Sequence, residues 1–192
     1  MSPVVTIKVA RNRPENRGIA LDNANLSGIL SDTGNRTFWI KPVGLPGTLP
    51  TGTETYNTDP QRVDFSVRPV SVQLRDVFLA YRVGDLRLMY VGECDSEMRQ
   101  ATADEIALNP NRGRWPWYFE AKNLTPEYGS VWLQHDLRPV RLVEEFNALN
   151  PGATARLNGL MYGRDRLRVA RTFAEFIIRR VMALPQVESD PA

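Results

Sequence analysis

The sequence predicts an α+β domain, a curved sheet or small barrel of about five to six strands with helices packed at its side. Three observations point there. The β-prone runs Val77–Arg82 and 86–91 are joined by Val83-Gly84-Asp85, which reads as a hairpin turn. Residues 115–124 form a strongly aromatic run with strand character. From Val169 onward apolar residues recur at Phe173, Phe176, Ile177, Val181 and Leu184, close to the 3.6-residue period of an amphipathic helix lying on a sheet.

The remaining elements follow in chain order. Residues 1–36 read as an N-terminal arm with one appended strand at 4–9, followed by Arg-rich and then Asn-, Asp-, Ser- and Gly-rich loop. Residues 36–41 have the β-branched and aromatic content of a strand, which Pro42 and Gly44 stop. Residues 44–62 are turn-forming, with Gly44, Pro46, Gly47, Pro50, Gly52 and Pro60. A crude apolar-polar alternation predicts a strand over 65–74. The pattern turns helical over 98–108 and is ended by Asn109-Pro110-Asn111-Arg112-Gly113. A short strand is expected near 131–133, and a short helix over 143–149 is stopped by Asn150-Pro151-Gly152. The expected domain is 37–184, followed by a disordered tail at 185–192.

A chain of 192 residues, 42% of them hydrophobic, can bury one substantial core. No apolar run approaches the roughly 18 residues that cross a membrane, and the first residues lack the basic-then-apolar order of a signal peptide, so a soluble, cytoplasmic protein is expected. The net charge of +2 conceals a polarity. Residues 112–180 hold 12 Arg or Lys against seven Asp or Glu, whereas residues 41–111 hold seven against ten. Of the 24 cationic side chains 21 are Arg, whose planar fork grips phosphate and stacks on rings. A GC-rich genome accounts for an Arg bias but not for its polarity.

Little in the sequence asks for catalysis. Cys94 and His135 are single residues of their type without a nucleophile signature, and read as a partly buried strand residue and a surface or turn residue. Phosphate-cradling glycine motifs are missing, so no nucleotide cofactor is expected. A zinc site built on one Cys and one His would need carboxylates, and no metal is expected.

What the sequence does offer is Arg interleaved with aromatics. Arg112-Gly113-Arg114-Trp115-Pro116-Trp117-Tyr118-Phe119 places two guanidinium groups beside four rings, the combination that base stacking plus phosphate contact requires. Strand alternation would send Trp115 and Trp117 to one face. Trp39, flanked by Phe38 and Ile40, is core or pocket wall. In Met161-Tyr162-Gly163-Arg164-Asp165-Arg166-Leu167-Arg168, three Arg could clamp phosphate while Asp165 accepts from a base amine; the alternative is a solvated charge run before a helix.

These segments together resemble the YTH/EVE branch of the PUA-like superfamily, small barrels that bind nucleic acid and, in several members, a methylated base. Thr37-Phe38-Trp39-Ile40-Lys41 is similar to the aromatic-x-Ile/Val-Lys of the first strand. The resemblance continues through the hairpin at 77–94 and Gly113-Arg114-Trp115, which is similar to the Gly-Arg/Lys-Phe opening a later strand. Leu137-Arg138-Pro139-Val140-Arg141-Leu142 is similar to Leu-Arg-His-Ile-Arg-Leu, and Gly163-Arg164-Asp165 to Ser-Arg-Asp before the last helix. Val83-Gly84-Asp85-Leu86 also resembles the Val-Gly-Asp-Leu of EVE domains, but that register demands a strand between Tyr90 and Trp115, where the pattern is helical.

Two departures bear on the ligand. Pro42 stands where YTH domains have Ser, and 42–76 contains no Trp. The other cage tryptophans of the family precede the Gly-Arg-aromatic element, where Ile106 to Asn111 now sit. A cage would therefore have to be rebuilt from Trp39, Tyr56, Phe65, Trp115 or Trp117, with Asp165 beside it. The resemblance implies a non-enzymatic reader that flips a modified base into an aromatic pocket, with Lys41, Arg164, Arg166, Arg114 and Arg112 on phosphates. It further implies the recognition part of a modification-dependent restriction or RNA-related system, acting with a nuclease or other effector. A protein-interaction or small-ligand module that kept the barrel and lost the nucleic-acid site is the other expectation.

Overall fold

The computed structural model describes residues 23–44, 58–83, 86–126, 137–155 and 165–184. Its spine is the strand β1 (Phe38–Val43), which runs parallel to β3 (Val77–Arg82) and antiparallel to the short β7 (Leu167–Val169). β2 (Gln61–Phe65), β4 (Leu88–Cys94) and β6 (Trp117–Asn123) complete a mixed sheet of order β2-β6-β4-β3-β1-β7, and the two-residue β5 (Arg99–Gln100) pairs with the start of β6. The fold is α+β with a curled sheet, as the sequence predicted at that level.

The curl is legible in ring positions. β2 and β3 are three strand spacings apart along the sheet, about 14 Å if it were flat. Yet the rings of Phe65 on β2 and Phe78 on β3 lie 6.4 Å apart, with Phe119 of β6 between them at 5.7 and 5.0 Å. Only a sheet that bends its inner face onto itself allows this.

Period-two alternation then sorts each strand between two environments. On β1, Phe38 and Ile40 face outward with Val77, Leu79 and Tyr81 of β3 and meet three helices, whereas Trp39 turns inward with Phe78. The helices are α1 (Ala24–Ser31), α4 (Pro139–Leu149) and α5 (Arg171–Met182). They bury Leu26 and Ile29, Leu142 and Phe146, and Phe173, Ile177, Ile178 and Val181. Phe146 meets Phe173 and Phe176 edge-on at 5.3 and 5.6 Å, which locks α4 to α5.

Several local expectations shift. Pro42 does not stop β1, which runs to Val43. The carbonyls of Thr37 and Val43 accept from Val77 and Val83, so odd-numbered residues point their polar groups at β3 and Pro42 points its ring nitrogen the other way. There β7 ends opposite Ile40, and no ladder bond is lost. The strand expected over 65–74 occupies 61–65 instead, since the chain turns at Pro69, whose carbonyl accepts from Val72 N–H. The helix expected over 98–108 starts only at α2 (Ala103–Leu108), because Thr102 and Glu105 form a reciprocal capping box and Arg99–Gln100 is drawn into the sheet. A short helix α3 (Asn111–Arg114) follows.

Residues 24–31, read as loop, are helical, held by burial of Leu26 and Ile29 rather than by propensity. α4 begins at Pro139, which suits the first helical position, four residues before the expected start. β7, unforeseen, takes Val169 out of the expected helical stripe and Leu184 lies past the end of α5; within the helix Phe173, Ile177 and Val181 are buried as the period predicts and Phe176 is partly buried. The strands expected at 4–9 and 131–133, the Gly84-Asp85 turn and the tail at 185–192 lie outside the described residues.

Asp76, nearly fully buried at the entrance to β3, ties the inner face to β1. Its carboxylate accepts from Trp39 Nε1 at 2.9 Å, from Thr37 N–H at 3.0 Å and from Gln73 N–H at 3.1 Å. Asp76→Ala strands these donors and is expected to cost about 3 kcal/mol. Urea unfolding measures it, and an unmoved midpoint would show that the carboxylate does not hold the strand.

Candidate functional site

The inner face of the curl gathers Trp39, Val63, Phe65, Phe78, Cys94, Phe119 and Ala121, with Val72, Met98 and Trp117 packed against them. Trp39 and Phe78 stack at 6.4 Å with 17° between their planes, and the indole is oriented by its bond to Asp76. This is an apolar, aromatic floor that burial of ring area favours by itself.

Three cations lie on that floor. Lys41 on β1 places Nζ 4.6 Å from the Phe65 ring centre. Arg166, just before β7, spreads its guanidinium over Trp39 at 5.5 Å and Phe65 at 5.8 Å, and Arg68 stands 5.3 Å over Trp117. Such contacts are worth about 0.5–2 kcal/mol each, more as water is excluded. Arg166 donates from Nη2 to Ser71 Oγ at 3.2 Å, while its buried Nε has no acceptor among the described residues. Asp165 is fixed from the opposite edge of the sheet, accepting from the Ser66 amide at 2.9 Å and Ser66 Oγ at 2.6 Å.

Lys41 is the anomaly of the site. It is 5% exposed, and its ammonium makes neither a hydrogen bond nor an ion pair among the described residues. Burial pushes its pKa down to about 8; the carboxylates of Asp165 and Asp64 work against that shift, and Arg166 adds to it. A buried ammonium held by aromatic faces and distant carboxylates is a costly arrangement.

Of the residues the sequence nominated, the fold brings together Trp39, Phe65, Trp117, Asp165, Lys41 and Arg166. It leaves out Trp115, which sits past the end of α3 rather than in the strand, so that alternation no longer aligns it with Trp117. Arg114 lies over that ring at 4.9 Å, and Arg112 is paired with Glu105 at 3.3 Å. Glu105 also binds Arg62, whose guanidinium lies 3.4 Å from the Tyr118 ring centre and also reaches Asp64 at 2.7 Å, so the charges of this Arg-aromatic cluster are paired although Arg62 Nη2 is buried without an acceptor among the described residues. Tyr56 and Arg164 lie outside the described residues, as does His135.

Sequence reasoning missed Ser66, Arg68 and Ser71. Their segment reads as strand by its alternation, and the signal against that reading is Pro69, which cannot donate to a ladder and around which the chain turns. Cys94 closes β4 as a buried residue, and burial pushes its thiol up to about 12, which keeps it protonated near neutrality.

Elsewhere, a cavity of about 410 Å³ beside α1 is lined by Asp32, Arg36, Arg75 and Glu93. There Arg36 reaches Asp32 at 2.6 Å and Glu93 at 2.8 Å, so its charges are already paired. Among the described residues no group of His, Cys, Asp and Glu is placed to hold a metal, and no helix is long and apolar enough to cross a membrane. Compared with protein-family models, curated proteins and solved structures, the chain matches none.

The Lys41 anomaly has a measurable sign. The folded pKa, about 8, lies below the ordinary 10.5, so the unfolded chain binds more protons between those values. The penalty is constant below about pH 8 and is relieved as pH rises towards 10.5. Lys41→Met is expected to stabilise the fold at pH 7 by up to about 3 kcal/mol. That gain should shrink across the same window in urea titrations at several pH values, and a pH-independent difference would refute the assignment.

Proposed function

We propose that this chain is a nucleic-acid-binding reader that receives one base, modified and in the simplest case methylated, on the inner aromatic face of its curled sheet. The observation that supports this reading is the convergence of Trp39, Phe65 and Trp117 with Lys41, Arg166 and Asp165 from segments far apart in sequence. Rings supply stacking, the cations meet phosphate or a carbonyl edge, and the carboxylate accepts from an exocyclic amine. A methyl group adds apolar surface that such a floor desolvates favourably.

The YTH/EVE-like, PUA-like assignment belongs to the same proposal. A curled mixed sheet with helices on its outer side is compatible with it, and β5 supplies a strand between Tyr90 and Trp115, which the Val-Gly-Asp-Leu resemblance requires. In this reading Arg166 covers the stacking faces of Trp39 and Phe65 and gives way to the base. Any cutting of the bound strand belongs to a nuclease or other effector partner.

One observation favours the other reading, a protein-interaction or small-ligand module. Trp39 and Phe65 are 6% and 0% exposed, so their faces are covered as they stand. Titration with methylated and unmethylated oligonucleotides at several salt concentrations separates the two. A reader using Arg166, Arg68 and Lys41 is expected to give a slope of log K against log salt of about −2 to −3. Arg166→Ala should weaken binding by about tenfold, and Trp117→Ala by a similar factor. A slope near zero, with both variants binding like the parent, would leave the interaction module as the reading.

A further inference from the structure

We propose that Lys41 is an amine nucleophile that condenses reversibly with an aldehyde borne by the bound nucleic acid, either a formyl group on a pyrimidine or the ring-opened sugar of an abasic site. The proposal rests on the inner-face reading for the source of the aldehyde, and on Lys41 and its neighbours for the chemistry.

Residue choice is the first observation. The chain has three lysines, Lys8, Lys41 and Lys122, against 21 arginines. The position sunk among aromatic rings is occupied by the one cationic side chain that can give up its proton near neutrality, which Arg cannot do. Structure needs no such residue there, since an apolar side chain of similar volume would satisfy Phe65 without burying a charge.

The second observation is the company Lys41 keeps. Its ammonium makes no hydrogen bond or ion pair among the described residues, so no described carboxylate or carbonyl holds it in the protonated form by direct contact. The Arg166 guanidinium disfavours the protonated form, and Arg166 Nε is itself buried without an acceptor beside the same rings. A desolvated lysine next to a second cation is the setting in which an amine becomes nucleophilic at neutral pH. With its pKa near 8, about a tenth of Lys41 is the free amine at pH 7, against about one in three thousand for an ordinary lysine.

Asp165 completes the chemistry. Its carboxylate, held by Ser66, lies close enough to act on Lys41 electrostatically yet makes no ion pair with it. In the first step the Lys41 nitrogen forms a bond to the aldehyde carbon, and the carbonyl oxygen takes up a proton to give a carbinolamine. In the second the C–O bond breaks, the oxygen leaves as water, and the nitrogen loses its remaining proton to give the imine. Amine plus aldehyde become imine plus water, with no electrons gained or lost. Asp165 is the general acid–base of the proposal, passing the proton between nitrogen and departing oxygen.

The test traps the imine. The full chain is incubated with sodium cyanoborohydride and, in separate arms, with an oligonucleotide carrying formylcytosine, one carrying an abasic site, an unmodified oligonucleotide, or a small aromatic aldehyde; the adduct is then located by peptide mapping. The expected result is a reduced adduct at Lys41, formed at least about tenfold faster than at Lys8, Lys122 or the terminal amine. The productive oligonucleotide arm names the aldehyde source. Lys41→Arg should abolish the adduct, and mapping of the parent chain decides the matter even if that variant fails to fold.

Labelling spread evenly over the amines, or none at Lys41 in any arm, overturns the nucleophile. If the oligonucleotides still bind without reductant, the reader reading survives that failure. An adduct at Lys41 with the small aldehyde alone keeps the amine chemistry and counts against nucleic acid as its source.

Discussion

The structure depends on the curvature of its sheet. β2 and β3 are separated by β6 and β4, and in a flat sheet their inward residues would stand too far apart to touch. Once the sheet curls, Phe65, Phe78 and Phe119 form one cluster, and the burial of their rings repays the bending. The outer face faces the opposite requirement, because a convex apolar surface must be covered. α1, α4 and α5 cover it through Leu26, Ile29, Leu142, Phe146 and the buried stripe of α5.

Curvature also determines what the inner face can be. Closing the aromatic floor excludes water, and in that environment each polar group is either satisfied or expensive. Asp76 is satisfied by its donors and orients Trp39. The Nε of Arg166 is buried without an acceptor among the described residues, and the Lys41 ammonium, which makes no hydrogen bond or ion pair among them, lies against the same Phe65 ring. Buried cations without a carboxylate partner beside oriented aromatics mark a place where stability has been set against something else, which is why the functional reading centres there rather than on the paired charges of Arg36, Asp32 and Glu93.

Much of the scaffold could be read from the chain. β3, β4 and β6 announce themselves by continuous β-prone or aromatic runs, because both of their faces are largely buried, and α5 by a 3.6-residue period, because one of its faces is buried. α1 could not be read, because an eight-residue helix with no capping side chain is stable only once Leu26 and Ile29 have a core to enter. β7 and β5 are too short to carry a period, and exist because a neighbouring strand offers them a ladder. The alternation over 65–74 points to a strand that is not there beyond Phe65, since its apolar residues include Val67, Val70 and Leu74, which remain exposed.

For the candidate site the division is similar. The sequence by itself determined the chemical inventory: Trp39 beside Lys41 on one strand, Trp117 on another, and Asp165 with Arg166 ahead of the last helix. It also determined the α+β class, because hydrophobic periodicity is a local property of the chain. Only the tertiary structure decided which of these residues meet. It seated Trp117 on the floor and left Trp115 on a helix end, since the strand starts two residues later than alternation assumed. It brought Ser66 to Asp165 across 99 residues of sequence and laid Arg166 over Trp39. Sheet curvature, which is a sum over many pairings, is not written in any one segment, and it is what converts a list of aromatic and basic residues into one buried, charged face.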